Sequence, residues 1–216
     1  MITDQTKEWI GEFGKEYIDR NPHSLNELET SYQKNYGVAR TELNKLFLEG
    51  IDRSIRILEV GSNIGIQLLC LQKMGFENLY GIEPQDYAVE LSKSKTKGIN
   101  IIKGDGFDIP FKDGYFDLVF TSGVLIHIHP SNALQVMKEI YRCTRTYVWG
   151  FEYYTDEHTE IIYREHKDLL WKGNFSRMFL DQFNDLELIN ERHLNYLDNE
   201  KNVDAMFLLK KKDKKE

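Results

Sequence analysis

Apolar residues follow two regimes along the chain, and the change falls near residue 50. Before it the spacing is helical. Trp9, Ile10, Phe13 and Tyr17 share one face that breaks at Asn21-Pro22. Leu25, Leu28, Tyr32 and Tyr36 follow Ser24-x-x-Glu27, which reads as a capping box, and stop at Gly37; Leu43, Leu46, Phe47 and Leu48 form a third pattern ending at Gly50. From residue 55 short aliphatic runs alternate with helical ones. The pattern predicts strands over 55–60, 79–82, 100–103, 116–121 and 146–151, with helices over 66–73, 86–94 and 132–141 between several of them. Such alternation predicts an α/β fold, a parallel sheet with helices on both faces that binds its ligand at the carboxyl ends of the strands. The last two runs, 186–193 and 203–209, have no helix between them and should pair antiparallel. The expected division is a helical lid over 1–50, a binding domain over 51–210 and a disordered basic tail over 211–216. The lid reading rests on Phe13-Gly-Lys-Glu-Tyr17-Ile-Asp-Arg20-Asn21, where polar and aromatic groups crowd around a helix-weakening glycine.

The stretch from Arg56 to Gln67 is a strand, a tight turn and a helix start. The apolar strand halts at Gly61 and the helical pattern resumes after Gly65. A glycine there lets the backbone approach a ligand, and the free N–H groups opening the helix favour negative charge or polar oxygen. The dinucleotide fingerprint G-x-G-x-x-G is absent, because Asn63 stands at the middle position, although Asn tolerates a positive φ. Glu59, inside the apolar strand, is a carboxylate that burial makes costly without a partner. A second acid, Glu83, ends the next strand before Pro84, 22 residues after Gly61. Nucleotide-binding folds place an acid at about that distance to accept ribose hydroxyls.

Composition narrows the classes. The chain has 216 residues, 12 Tyr, 12 Phe and 3 Trp, enough for one sizeable core. No apolar run approaches the ~20 residues a bilayer crossing needs, and the polar N-terminus is not a signal peptide, so a cytoplasmic location is expected. Cys70 and Cys143 make no metal spacing and read as reduced core thiols. A net charge of −7 argues against a nucleic-acid partner. His127 and His129 have H-x-H spacing but no third ligand nearby in sequence, so no metal is expected.

Other stretches carry candidate chemistry. Gly104-Asp105-Gly106-Phe107 follows the third strand as a turn. Thr146 to Tyr154 ends the fifth strand with Glu152, which core packing explains poorly. Tyr163-Arg164-Glu-His166 through Lys172 to Arg177 gathers basic groups among aromatics in an acidic protein, which suits an anionic substrate or a solvated amphipathic helix.

Glu59-x-Gly61-x-Asn63-x-Gly65 resembles the first motif of class I S-adenosylmethionine-dependent methyltransferases, with Asn63 where the usual form has glycine. Asp117-x-Val119 through Val124-Leu125-x-His127-Ile128 resembles their fourth, and an antiparallel closing hairpin fits their sheet. The fold the resemblance implies is Rossmann-like, with seven mostly parallel strands and an antiparallel last one. It implies that Glu59, Gly61, Ser62, Asn63 and Gly65 meet the amino-acid end of S-adenosylmethionine, and that Glu83 and Pro84 meet the ribose. Asp105, Gly106 and Phe107 would meet the adenine, and Thr121, Ser122 and Gly123 the methionine part. Tyr17, Arg20 and Asn21 would close over the cofactor.

The segments beginning at Phe13, Glu59, Tyr163 and Lys172 look like the methylases associated with pseudaminic acid biosynthesis, over roughly residues 9 to 209. The chain departs from them at Gly173-Asn174-Phe175, where that group tends to show Arg-Asp-Phe. The resemblance implies methylation of a hydroxyl on an acidic sugar, free, nucleotide-activated or glycan-linked, in surface glycan biosynthesis. An alcohol needs a general base, for which His127, Glu152 and His166 are candidates; Tyr154, Arg164, His166 and Lys172 are expected to hold the substrate. A second copy of the chain, as a homodimer, is left open as a partner. Two rival readings stand beside this one. One is a short-chain nicotinamide-dependent reductase, from the spacing Tyr163-x-x-x-Lys167; the other is a non-catalytic S-adenosylmethionine-binding module.

Overall fold

The computed structural model describes residues 3–164 and 167–212. Four helices precede the sheet: α1 (Asp4–Ile10), α2 (Glu12–Arg20), α3 (Leu25–Tyr36) and α4 (Arg40–Leu48). The expected single face from Trp9 to Tyr17 is split, because the chain turns at extended Gly11 between α1 and α2. Thr3 caps α1, its Oγ1 accepting the Thr6 N–H at 3.0 Å. Ser24 caps α3 as expected, and Gly37 closes that helix at φ +72°, a left-handed conformation that glycine adopts without steric cost.

Strands β1 (Arg56–Val60), β2 (Asn78–Glu83), β3 (Asn100–Lys103), β4 (Phe116–Ser122) and β5 (Thr144–Tyr153) all run parallel; β8 (Leu186–Asn195) and β9 (Val203–Lys211) complete the sheet. Its order is β3-β2-β1-β4-β5-β9-β8, with β9 antiparallel to both neighbours. Helices α5 (Ile66–Lys73), α6 (Asp86–Lys95) and α7 (Pro130–Cys143) make the crossovers, as the alternating pattern predicted. The sheet is Rossmann-like.

Side chains alternate across the sheet, so one face buries Ile57, Leu118, Phe120 and Trp149 with α3, α4 and α5, while the other buries Leu58, Val119 and Val148 with α7. Cys70 and Cys143 are buried free thiols, one in each layer. Between β5 and β8 the chain forms a two-stranded ribbon, β6 (Thr159–Glu160) with β7 (Trp171–Lys172), and then α8 (Phe175–Gln182). The basic segment from Tyr163 is therefore not one amphipathic helix; Asn174 caps a helix only from Phe175 onward. Helix α7 starts at Pro130 behind His129, two residues before the expected start at 132. Lys211 still pairs with Leu186, so the strand takes the first residue assigned to the tail; residues 213–216 lie outside the described ones.

Candidate active site

A cavity of about 430 Å³ opens at the carboxyl ends of β1, β2, β4 and β5 and is roofed by α1, α2 and α3. The β1 turn forms one end. Gly61 has φ +71°, and a Cβ there would lie 2.7 Å from Val124 Cγ2, so the strand end and the next loop touch through a missing side chain. Asn63 takes φ +50° and Gly65 φ +84°, which bends the backbone into α5. Asn63 also accepts the Ile64 N–H at 2.7 Å through its own Oδ1.

Glu83 is built into that turn. Its carboxylate accepts the Asn63 N–H at 2.8 Å and the Gln85 N–H at 2.9 Å. Burial nonetheless pushes its pKa up to about 7. Glu59 is 2% exposed, and burial raises its pKa well above the usual carboxyl range; Arg40 opposes the shift and Glu83 reinforces it. Asp105 accepts the Phe107 N–H at 2.8 Å through Oδ1, and both residues line the cavity beside Gly106.

Buried polar atoms without a partner gather on this wall. Among the described residues they belong to Trp9, Arg40, Glu59, Ser62, Gln67, Trp149 and Asp204, and all but Arg40 and Trp149 line the cavity. An unmade buried hydrogen bond costs ~1–3 kcal/mol, so polar groups concentrated this way suit a polar ligand.

His127 closes a 3₁₀ turn after β4 and lines the cavity. Its Nδ1 lies 2.8 Å from the Leu169 carbonyl oxygen, which can only accept; Nδ1 therefore carries the hydrogen and Nε2 keeps its lone pair. Burial pushes the ring's pKa down to about 4, so it is neutral at pH 7. Trp9, 4.4 Å away between ring centroids, Tyr163 at 5.8 Å and Tyr17 at 6.1 Å surround it. Helix α1 is fastened over this cluster on two sides. Gln5 accepts the His129 N–H at 2.7 Å and donates to the Asp168 carbonyl at 2.8 Å; Gln85 donates to the Gly11 carbonyl at 3.0 Å.

The structure brings together most of the expected cofactor residues. Tyr17, Asn21, Glu59, Gly61, Ser62, Asn63, Glu83, Pro84, Asp105, Gly106, Phe107, Ser122 and Gly123 all line the one cavity. Gly65 stands just behind it as the N-cap of α5. Arg20 does not join them: it is exposed, 3.5 Å from Glu16 one turn back, because α2 presents it to solvent. Thr121 is also outside the wall; its side chain bonds Glu152.

Glu152 proves a clamp rather than a group in reach of a substrate. It is 1% exposed and accepts the Val124 and Ile126 N–H groups at 3.2 and 3.3 Å, which fixes the loop that carries His127. The substrate residues also depart from expectation. Tyr154 donates to Asp156 at 2.5 Å and faces His193, Arg164 is exposed, and Lys172 is buried with its Nζ 2.8 Å from Asn202; none of the three lines the cavity. His166 lies outside the described residues.

Sequence reading passed over several residues at or behind the cavity wall, among them Gln85, Arg40, Tyr196 and Asp204. Gln85 and Arg40 carry no local signal. Arg40 is fully buried, donating to Asn44 at 2.8 Å, Tyr32 at 2.5 Å and Ser122 at 3.2 Å, which places a cation directly behind the wall. Tyr196 and Asp204 meet at the β9 end. Asp204 did carry a signal, an acid opening an otherwise apolar strand, of the same kind that singled out Glu59.

Comparison with known proteins agrees with this geometry. Residues 58–147 match a family model described as a methyltransferase domain. A sterol 24-C-methyltransferase of Pneumocystis carinii is 27% identical over 142 residues, 58% of this chain and 37% of that protein. The cycloartenol-C-24-methyltransferase 1 of Oryza sativa subsp. japonica is 25% identical over 58% of the chain and 39% of its own length. The chain thus spans little more than a third of the curated relatives it matches. In fold it is similar to a 1,6-didemethyltoxoflavin-N1-methyltransferase of Burkholderia thailandensis solved with bound 1,6-didemethyltoxoflavin and S-adenosylhomocysteine. The TM-score is 0.63 at 12% identity, covering 80% of this chain and 76% of that one. A Pyrococcus horikoshii protein superposes with a TM-score of 0.67 at 16% identity, over 91% of this chain and 99% of its own.

Proposed function

We propose that this chain, which carries a class I S-adenosylmethionine-dependent methyltransferase domain, transfers a methyl group to a heteroatom of a small molecule held in the cavity beneath α1. S-adenosylmethionine is the cofactor of that domain and supplies, when bound, an electrophilic methyl carbon on a sulfonium. The observation that carries the reading is the run of unpartnered buried polar atoms from Glu59, Ser62 and Gln67 at the β1 turn to Trp9 under the lid, all on one wall.

The residues divide the work by position. Glu83 would take the ribose hydroxyls, Asp105 and Phe107 the adenine, and Glu59 with Ser62 the amino-acid end, where an ammonium suits a carboxyl group that lacks a partner. Trp9, Tyr17 and Tyr163 would exclude water. His127, neutral and with Nε2 free to accept, is the general base; a positioned base is worth about 10²- to 10⁴-fold. Glu152 and Thr121 hold its loop. Holding donor and acceptor in line is worth ~7 kcal/mol or more.

The finer reading is that the acceptor is a hydroxyl of an acidic sugar in surface glycan biosynthesis, as the resemblance implies. What supports it is Arg164, exposed next to the wall residue Tyr163 and 5.9 Å from its ring. The described wall itself contains no lysine or arginine. A sterol acceptor, by the curated relatives' names, suits four wall carboxyl groups still less. The reductase reading loses its residue pair, because Lys167 is exposed and off the wall. The test is incubation with a methyl-labelled donor and a panel of acidic, neutral and amine-bearing acceptors, followed by mass spectrometry. Labelled product is expected; label transferred to no acceptor, with the donor bound, would leave the non-catalytic binding module.

A further inference from the structure

The far end of the cavity, at β5 and β9, is chemically unlike the β1 turn. Asp204 is the second residue of β9, paired across from Tyr153, and is 1% exposed. Its Oδ2 accepts from the hydroxyls of Tyr36 and, at 3.2 Å, of Tyr196. Its Oδ1 has no partner. Four phenol rings surround it. Tyr36 and Tyr196 lie 4.9 Å apart between centroids, Tyr32 and Tyr36 5.3 Å, and Tyr153 and Tyr196 6.4 Å, and all four line the cavity with Asp204.

Two cations stand outside this group, and both have other partners. Arg40 is bonded to Asn44, Tyr32 and Ser122, and Lys172 to Asn202. No ion pair reaches Asp204 among the described residues, although both cations lower its pKa against the burial that raises it to about 7. A donor brought by a ligand would complete Oδ1. Asp204 also stands apart from the β1 turn: β9 is three strands from β1, ~14 Å at the usual spacing. Between them the wall carries Glu59, Glu83, Asp105 and Asp204 with no lysine or arginine, so a protonated amine would meet carboxyl acceptors and no competing cation. Phenol faces attract a cation as well.

We propose that this end of the cavity is an amine subsite: Asp204 Oδ1 takes a hydrogen bond from a protonated nitrogen on the acceptor, inside the ring formed by Tyr32, Tyr36, Tyr153 and Tyr196. The proposal rests on the reading that this cavity takes a methyl acceptor, and it narrows that acceptor to molecules bearing a primary or secondary amine. Asp204 here binds and orients; the proton of the reacting atom still goes to His127.

The test uses the full chain saturated with S-adenosylhomocysteine and three probes of one shape and different charge: benzylamine, benzyl alcohol and benzoate. Benzylamine is expected to raise the melting point and the other two to raise it less or not at all. Asp204→Asn is expected to weaken benzylamine at least tenfold in calorimetry while S-adenosylhomocysteine affinity stays within about threefold. Tyr196→Leu, at a partly exposed position, should weaken benzylamine severalfold and serves if the Asp204 variant does not fold. An equal or larger shift with benzoate or benzyl alcohol overturns the proposal, as does no shift with any probe or benzylamine binding that survives both variants. A loss of S-adenosylhomocysteine affinity in Asp204→Asn would move the acid to the cofactor end and also overturn it. If S-adenosylhomocysteine fails to bind the unaltered chain, the functional reading falls, and the same probes on the ligand-free protein still report on Asp204.

Discussion

The two ends of the cavity are built by different means. At the β1 turn the wall is shaped by backbone: Gly61, Asn63 and Gly65 set positive φ angles, and Glu83 holds the turn through main-chain N–H groups. At the β5–β9 end the wall is made of side chains. Tyr36, Tyr153, Tyr196 and Asp204 come from three separate elements and the loop after β8, and they meet only because β9 enters between β5 and β8. The difference teaches where each kind of specificity resides. A turn that must admit a ligand against its own backbone tolerates few residues, whereas a cage assembled from distant side chains can be rebuilt one position at a time.

The comparison can be broken most sharply between the two ends, at His127. His127→Ala is expected to lower the rate of methyl transfer by about 10²- to 10⁴-fold while leaving S-adenosylhomocysteine affinity within about threefold, read from single-turnover label transfer and calorimetry. Loss of affinity in parallel with rate would make the histidine a wall of the cofactor site.

Arg40 is the next largest. Among the described residues it is buried with no carboxylate in ion-pair contact, it touches Tyr32 of one end and Ser122 of the other, and its guanidinium lies 4.8 Å from the Phe151 ring. Removing one member of such a buried polar network costs ~3 kcal/mol. Arg40→Met should lower unfolding free energy by that order in urea titration and weaken ligands at both ends. An effect confined to one end would show that the two are independent.

Glu83→Ala acts on one end alone. It is expected to weaken S-adenosylhomocysteine tenfold or more, about 1.4 kcal/mol, and to leave any amine-bearing acceptor's affinity unchanged.

The smallest effect is a pH slope. The Asp204 carboxyl, ordinarily near 3.8, titrates at about 7 because of burial. The folded chain therefore holds a proton that the unfolded chain has released, and the acid's contribution to stability falls as pH rises from about 4 to about 7. Glu83 and Glu152, each raised to about 7, add to the decline. His127 opposes it, its depressed pKa adding stability as pH rises from about 4 to about 6.5. The melting point of Asp204→Asn minus that of the unaltered chain should accordingly increase from pH 5 to pH 7.5, and a flat difference would remove the buried acid from the account.

Legibility in the sequence followed the same division. Strands ending at Val60, Glu83 and Lys103, the helix 66–73 and the closing antiparallel pair were readable because periodicity and turn chemistry are local. Glu59, Gly61 and Glu83 were readable as unusual positions for the same reason, and all three line the cavity. Glu152 was rightly marked as unusual but misassigned, since an acid at a strand end looks alike whether it faces a ligand or clamps the Val124 and Ile126 N–H groups. Lys172 and Arg164 were assigned by the company of aromatics, whereas Lys172 bonds Asn202 and Arg164 is exposed, both off the wall. Tyr36 and Asp204 became partners only because α3 packs against the β9 end, a contact between residues 168 apart that local spacing along one chain does not encode.

The central claim is that the turn between β1 and α5, with Glu83, holds an adenosyl cofactor, and a crystal structure of the chain grown with S-adenosylhomocysteine tests it most directly. The account predicts the ribose against the Glu83 carboxylate and the homocysteine end beside Gly61 and Glu59. Ligand density in any other crevice, or a Glu83 carboxylate still bonded only to Asn63 and Gln85, would contradict it.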